Sequence, residues 1–335
     1  MKKNLILISA ALALCLSSAG CNKSGKLSQP STFTPPAGPV ELTLKWPVGE
    51  RVVRNFDMKM NSEISMPNLP APIKQDSTMG QKYGLTVLKT EAGGDREVEM
   101  EFLAMRMKVE QGGKTVIDFD SDKKAEPASK TPPIAAIQTV VQKIVGAKVQ
   151  FFMDASNQVE RIEGVDALMS RLGSGGTADA AAGIKSMFSD GYLKQMVGSS
   201  LLLPPNPVQS GDTWTKHIEM GMGAYGNMVM DYNLTLQSWE KHGERVCARL
   251  EFQGTIKSSP DANSPRSGMT MAIQDGSSSG VAWFDPELGL VIASDSDQDI
   301  KMIMSIPSTV RGKTITQTMT NLMHQTITEQ LESVK

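Results

Sequence analysis

Apolar and polar residues alternate one for one along most of this chain, which is the period of a half-buried β-strand rather than of a helix. Ile300, Met302, Met304 and Ile306 fall on one face of such a strand, and Asp295, Asp297, Asp299 and Lys301 on the other. Ile315, Met319, Met323 and Ile327 fit a strand by parity, although with Leu322 and Leu331 they fit a helix as well. Threonine at 314, 316, 318, 320, 326 and 328 favours the strand, because β-branched side chains suit a pleated surface. Helical spacing is confined to a few places. Ile134, Ile137, Val141 and Ile144 recur between Pro132 and Gly146, and Val165 to Leu172 and Ile184 to Val197 read as helices separated by Gly173 to Gly176. Pro67 to Pro72 forms a stiff loop, and Leu201 to Pro207 an extended linker.

The strand pattern occurs twice. Tyr83-Gly84-Leu85-Thr86-Val87-Leu88, a turn at Gly93 to Arg96, and Val98 to Phe102 are echoed by Tyr232-Asn233-Leu234-Thr235-Leu236-Gln237, a turn at His242 to Arg245, and Val246 to Phe252. Upstream, Trp46 to Arg51 matches Gln209 to Trp214 as a turn entering a strand. Downstream, Phe151-Phe152-Met153-Asp154 with Val159 matches Trp283-Phe284-Asp285 with Leu290 and Val291, the aspartate closing one strand and the aliphatic residue opening the next. The expected fold is mainly β (α+β), with two related antiparallel β modules at 41–163 and 208–335. Curved half-barrel sheets are one form they could take. A helical insertion near 132–146 and a helical connector and linker at 164–207 complete the body.

The amino terminus has a different character. A basic start at Met1-Lys2-Lys3, an apolar run from Leu5 to Leu16 and small residues at Ser18-Ala19-Gly20 precede Cys21, the layout of a secretion signal cut before a cysteine that accepts lipid. Residues 1–20 are then a signal peptide, and 21–40, rich in Ser, Pro, Gly and Lys, a disordered tether. Ser18 stands where such signals usually carry an aliphatic residue, so cleavage at an ordinary site is the competing reading. A membrane helix is disfavoured, because the apolar stretch falls short of the ~20 residues that span a bilayer.

A net charge of −2, with basic residues scattered among acidic ones, excludes a nucleic-acid partner. With Cys15 inside the signal and Cys21 acylated, Cys247 stands alone in the body. No disulfide or cysteine metal site is expected, and Cys247 reads as buried core. Methionine is unusually frequent, at 22 residues. Met58/Met60, Met105/Met107, Met220/Met222, Met228/Met230, Met269/Met271 and Met302/Met304 are Met-x-Met pairs, which in a strand place two thioethers side by side. Of these, Met58, Met60, Met105, Met107, Met228, Met230, Met269, Met271, Met302 and Met304 are the candidate ligand-facing residues. The deformable thioether face suits varied apolar ligands, ordinary core filling is the plainer reading, and soft-metal binding is a third.

Gly276 to Gly280 matches G-x-S-x-G, with Asp285 and His324 following Ser278 in hydrolase order. The strand-turn-helix context of that motif is absent, and the stretch reads as a turn without catalytic residues. Asp118/Asp120/Asp122 and Asp295/Asp297/Asp299 open like calcium loops but lack the glycine and glutamate such loops need. The first run reads as the acidic end of a hairpin and the second as the wet face of a strand. The three histidines, 217, 242 and 324, have no metal-ligand spacing, and His242 is placed in a solvated turn. No cofactor or metal is expected.

The signal, the Pro/Ser tether and the two Tyr-x-Leu-Thr hairpins entered through Gly49-Glu50 and Gly211-Asp212 together resemble an uncharacterised family of bacterial lipoproteins classed as a domain of unknown function. The resemblance implies a fold and an address and transfers no catalytic residue. The implied role is non-enzymatic: an envelope protein held to the membrane by its N-terminal lipid, binding a hydrophobic ligand or protein partner. A structural or assembly component is the alternative, and a serine hydrolase using Ser278 a remote one. With Asn22 after the cysteine in place of an aspartate, the expected location is the periplasmic face of the outer membrane.

Overall fold

A chain with period-two alternation can hide its apolar face only by pairing strands into a sheet, and the computed structural model pairs twelve of them in one antiparallel sheet. The structure describes residues 30–67, 69–123, 142–173, 193, 194, 197, 202–221, 227–259, 270–310 and 313–335. The strands are β1 (Arg51–Ser65), β2 (Ile73–Thr90), β3 (Arg96–Gln111), β4 (Lys114–Asp120), β5 (Lys148–Met153), β6 (Val159–Glu163), β7 (Thr213–Gly221), β8 (Asn227–His242), β9 (Arg245–Ser258), β10 (Thr270–Asp285), β11 (Leu290–Val310) and β12 (Lys313–Val334). Helix α1 (Val165–Gly173) lies where helical spacing places it and buries Leu168 and Leu172. The helix expected at 132–146 is described only from residue 142, and that at 184–197 only at Leu193, Lys194 and Val197, all helical. The signal and Cys21 lie outside the described residues.

The strand order is β6-β5-β3-β2-β1-β12-β11-β10-β9-β8-β7, with β4 beside the far half of β3. Two five-stranded runs, β1-β2-β3-β5-β6 and β7-β8-β9-β10-β11, thus lie in one sheet in the same sense, and β12 fills the gap between β1 and β11. Matching positions in the runs share backbone geometry. Gly49 and Gly211 both take positive φ, +84° and +94°, which glycine tolerates without steric cost. Their N–H groups donate to Val87 O at 2.9 Å and Leu236 O at 2.7 Å. Immediately after those acceptors, β2 and β8 each carry one extra residue, Leu88 and Gln237. The pairings β5–β6 and β10–β11 shift register at Phe152/Met153 and Trp283/Phe284, just before Asp154 and Asp285. The hairpins differ in a second shift at Lys82/Tyr83, found in the first alone, and in register: Leu85 faces Met100, whereas Leu234 faces Phe252. A shift of two residues leaves every side chain on its original face.

Buried charge holds the turn end of the second run. Asp285, with no exposure, pairs with Arg245 Nε, and its Oδ1 accepts N–H bonds from Glu287 at 2.8 Å and Leu288 at 3.0 Å. Arg245 also reaches Glu287 at 2.8 Å. Residues 31–45, whose first ten fall within the segment expected as a tether, are laid against this same corner. Ser31 N–H donates to Glu244 O at 3.0 Å, Phe33 packs on Trp239, Val40 bridges Val208, and Lys45 N–H donates to Gly289 O at 3.0 Å. The Thr32 hydroxyl bonds Glu287 and holds its carboxyl below the usual range. The segment binds because Phe33 finds an aromatic surface and the turns offer unpaired carbonyls.

A second buried pair sits where the runs join. Arg54, 2% exposed, donates to Glu329 at 3.1 Å and to Val291 O at 2.9 Å, while Tyr83 Oη donates to the same glutamate at 2.6 Å, linking β2, β1, β12 and β11. Removing one member of a buried pair strands the other charge. Asp285→Ala should therefore lower the unfolding free energy by about 3–5 kcal/mol, whereas Asp154→Ala, at the matching exposed turn, should cost about 1 kcal/mol; urea titration followed by tryptophan fluorescence measures both.

Candidate functional site

Strand parity divides the side chains between two faces. One apolar cluster covers the inner face and runs from β5 to β7. Met58, Met60, Met105, Met228, Met230 and Met302 are buried there, and Met107, Met271 and Met304 pack partly buried against the same cluster. Met269 lies outside the described residues. The register brings thioethers of different strands together in two rows: Met58, Met79 and Met107 across β1-β2-β3, and Met271, Met304 and Met319 across β10-β11-β12.

A polar row crosses this apolar face. The pairings align Gln325 of β12, Gln298 of β11, Ser278 of β10, Gly254 of β9, Tyr232 of β8 and Lys216 of β7. Gln325 and Gln298 have no exposed surface, and Gln325 Nε2 donates to Gln298 Oε1 at 2.5 Å. Gln298 Nε2, Gln325 Oε1, Asn321 Oδ1 and Ser62 Oγ are buried without a hydrogen-bond partner among the described residues. Burial pushes the Tyr232 phenol far up, an effect Ser278 beside it eases, and its hydroxyl donates to Met230 Sδ at 3.4 Å. Burial likewise pushes the Lys216 ammonium down at the edge strand. None of Gln298, Gln325, Asn321 or Lys216 is among the sequence-predicted site residues. The available signal was parity: each stands two or four positions from an apolar residue of its own strand.

The G-x-S-x-G stretch is strand, not turn, since β10 runs through it without a break in pairing from Ser277 to Phe284. Gly276, Ser278 and Gly280 are small because of where they sit. A Cβ on Gly276 would press on Ile256, and one on Gly280 on the Asp295 carbonyl and the Phe252 ring. Ser278 faces inward, Asp285 lies seven residues along the strand, roughly 23 Å away at 3.3 Å per residue, and His324 lies on the opposite face against Asp299 at 3.0 Å. The structure does not bring these three together.

The outer face is hydrophilic. His217 pairs with Asp231 at 2.7 Å, and His242 ends β8 with its ring on Trp283 at 4.6 Å rather than in a solvated turn. Burial lowers its pKa. Among the described residues no His/Cys/Asp/Glu group could hold a metal ion. A groove of about 630 Å³ on this face includes Asn61, Asp76, Asp299, Lys301, Leu322 and His324, and its Asn61–Asp76 and His324–Asp299 contacts satisfy one another. Cys247 is buried, and desolvation first, then Asp285, pushes its thiol well up, which leaves it unreactive.

Two substitutions at β10 separate space from chemistry. Gly280→Ala should lower stability by about 1–3 kcal/mol through overpacking, and Ser278→Ala by less, both read from urea midpoints. Partial burial, with Asp297 alongside, raises Asp295 to about 6. Between about pH 4, the unfolded value, and that point the native state binds more protons than the unfolded chain, so Asp295 makes stability fall as pH rises. Asp295→Asn should thus raise the melting temperature at pH 7 and leave it unchanged at pH 4 or below, as scanning calorimetry would record.

Solved structures with some likeness include one titled for lipid–protein interactions in lipovitellin, at 10% identity and a TM-score of 0.45, covering 87% of this chain. The chain spans only 26% of that protein. A Bacteroides fragilis protein described as exported, with a YmcC-like fold, matches at 11% identity and TM-score 0.27, over 88% of this chain and 100% of that one. A Parabacteroides distasonis protein described as a lipoprotein matches at 12% and 0.29, with the same coverage. No curated protein matches the chain. A family model does match, over residues 93–291 of the 335, more than half of the length. The chain belongs to the Family of unknown function (DUF6263).

Proposed function

We propose that the protein is a lipid-anchored, non-enzymatic component of the cell envelope, built from two repeats at 41–163 and 208–335, that holds an apolar or amphiphilic ligand on its methionine-rich inner face. The observation that carries this reading is the inner face itself. Thioethers from neighbouring strands meet in rows, and within that apolar wall stand polar atoms that no described residue satisfies. A core that only fills space gains nothing from such atoms, each of which costs about 1–3 kcal/mol when left unpaired. A bound molecule with an apolar body and a polar end would supply partners to both. Methionine suits that task because its unbranched side chain repacks at little cost.

The anchor in this reading is Cys21, and the address the periplasmic face of the outer membrane, both supported by the order of charge, apolar run and small residues at the amino terminus. The assembly alternative is favoured by one feature, the two sheet ends at β6 and β7, which do not pair with each other and could each accept a partner strand.

The ligand reading is tested by native mass spectrometry of protein purified without residues 1–20. The expected outcome is a co-purified mass that organic extraction removes and that Met230→Lys reduces at least fivefold; an empty protein would count against it. The anchor is tested in cells by labelling with a palmitate analogue, with label expected in the wild type and absent in Cys21→Ala.

A further inference from the structure

Taking the ligand reading as given, the structure also bears on the chemistry of the ligand's polar end. The Gln298–Gln325 pair lies centrally in the sheet, on strands β11 and β12, with no exposed surface. Their mutual hydrogen bond uses one donor and one acceptor. What remains unpartnered is Gln298 Nε2, a donor, and Gln325 Oε1, an acceptor. Exchanging O and N on both amides still leaves one donor and one acceptor. Four residues along β12, Asn321 Oδ1 is a second unpartnered acceptor, and Ser62 Oγ on β1 is a hydroxyl able to act either way.

Charge is missing from this set. Arg54 binds Glu329 and the Val291 carbonyl through its terminal nitrogens, and although its Nε is unpartnered it stands six residues along β1 from Met60, the residue that pairs with Gln325. Lys216 lies five strands from Gln325 in the same row, four from Gln298, at the edge strand β7. A carboxylate or phosphate placed at the amide pair would meet carbonyl oxygens with no nearby cation, and an ion in an apolar surround without a counter-charge is strongly disfavoured. A group that both donates and accepts, and carries no charge, would answer both free atoms.

We infer that the Gln298–Gln325 pair, with Asn321 and Ser62 beyond it, is a head-group site for a neutral amphiphile whose polar end bears a hydroxyl or an amide, of the diacylglycerol type rather than the fatty-acid type.

The full chain, purified in detergent, is incubated with phosphatidylcholine vesicles carrying either dioleoylglycerol or oleate, and retained lipid is measured by native mass spectrometry. The wild type is expected to retain dioleoylglycerol about tenfold over oleate, a factor that one buried hydrogen-bonding group supplies. Gln298→Met combined with Gln325→Met keeps side-chain length and removes only polarity. Replacing unpaired polar atoms with apolar ones is neutral or stabilising, so this variant should fold with an unchanged or higher melting temperature and should lose the preference. Retention of the preference in the double variant would overturn the site. A wild-type preference for oleate that disappears in Lys216→Met would overturn the neutral class and leave the apolar-ligand reading standing. Retention of neither lipid would overturn that reading and the site with it.

Discussion

The architecture depends on backbone pairing along β12. Each five-stranded run would otherwise end in an open edge, β1 in one and β11 in the other, and a row of unpaired N–H and C=O groups is an invitation to aggregate. β12 answers β1 from Val52 to Ser65 and β11 from Ala293 to Val310. Two half-structures thereby become one sheet with one apolar cluster. The Arg54–Glu329–Tyr83 contacts at this seam reinforce the join with side chains from three strands.

A single sheet creates a problem that the inner face answers only in part. Its apolar positions are covered, yet Gln298, Gln325, Asn321 and Ser62 bring polar atoms into the same layer without completing their hydrogen bonds. Natural interiors satisfy nearly all such groups, and each exception calls for a physical reason. The outer groove is the reverse case. It is open and polar, but its side chains pair with one another, as Asn61 does with Asp76. Concavity and chemistry point to different faces here, and the unmet hydrogen bonds weigh more.

Much of the architecture was legible because its signals are local. The matched hairpins follow from Tyr83 and Tyr232, the turn entries from Gly49 and Gly211, and the closing turns from Asp154 and Asp285, each a short-range choice of residue for a backbone need. The position of β12 was not legible, since nothing in its threonine-rich alternation names its neighbours, which are hundreds of residues away on one side. The glycines of β10 misled for a related reason: Gly276 and Gly280 look like turn residues until Ile256, Phe252 and the Asp295 carbonyl are seen against them. The polar row was half legible, because parity assigns Gln325 to the face of Met323 and Ile327, but only cross-strand register joins it to Gln298 and Tyr232.

The segment from Ser31 to Lys45 also decides how the molecule carries load. A pull on residue 30 is not transmitted straight to β1, where it could peel that strand from β12 one hydrogen bond at a time. It enters through Ser31, Thr32 and Phe33 at the corner clamped by Arg245, Asp285 and Glu287. A body leashed at its amino terminus to a moving surface would take that tension in shear, at a corner fixed by buried charge, and spare the seam on which its two halves depend.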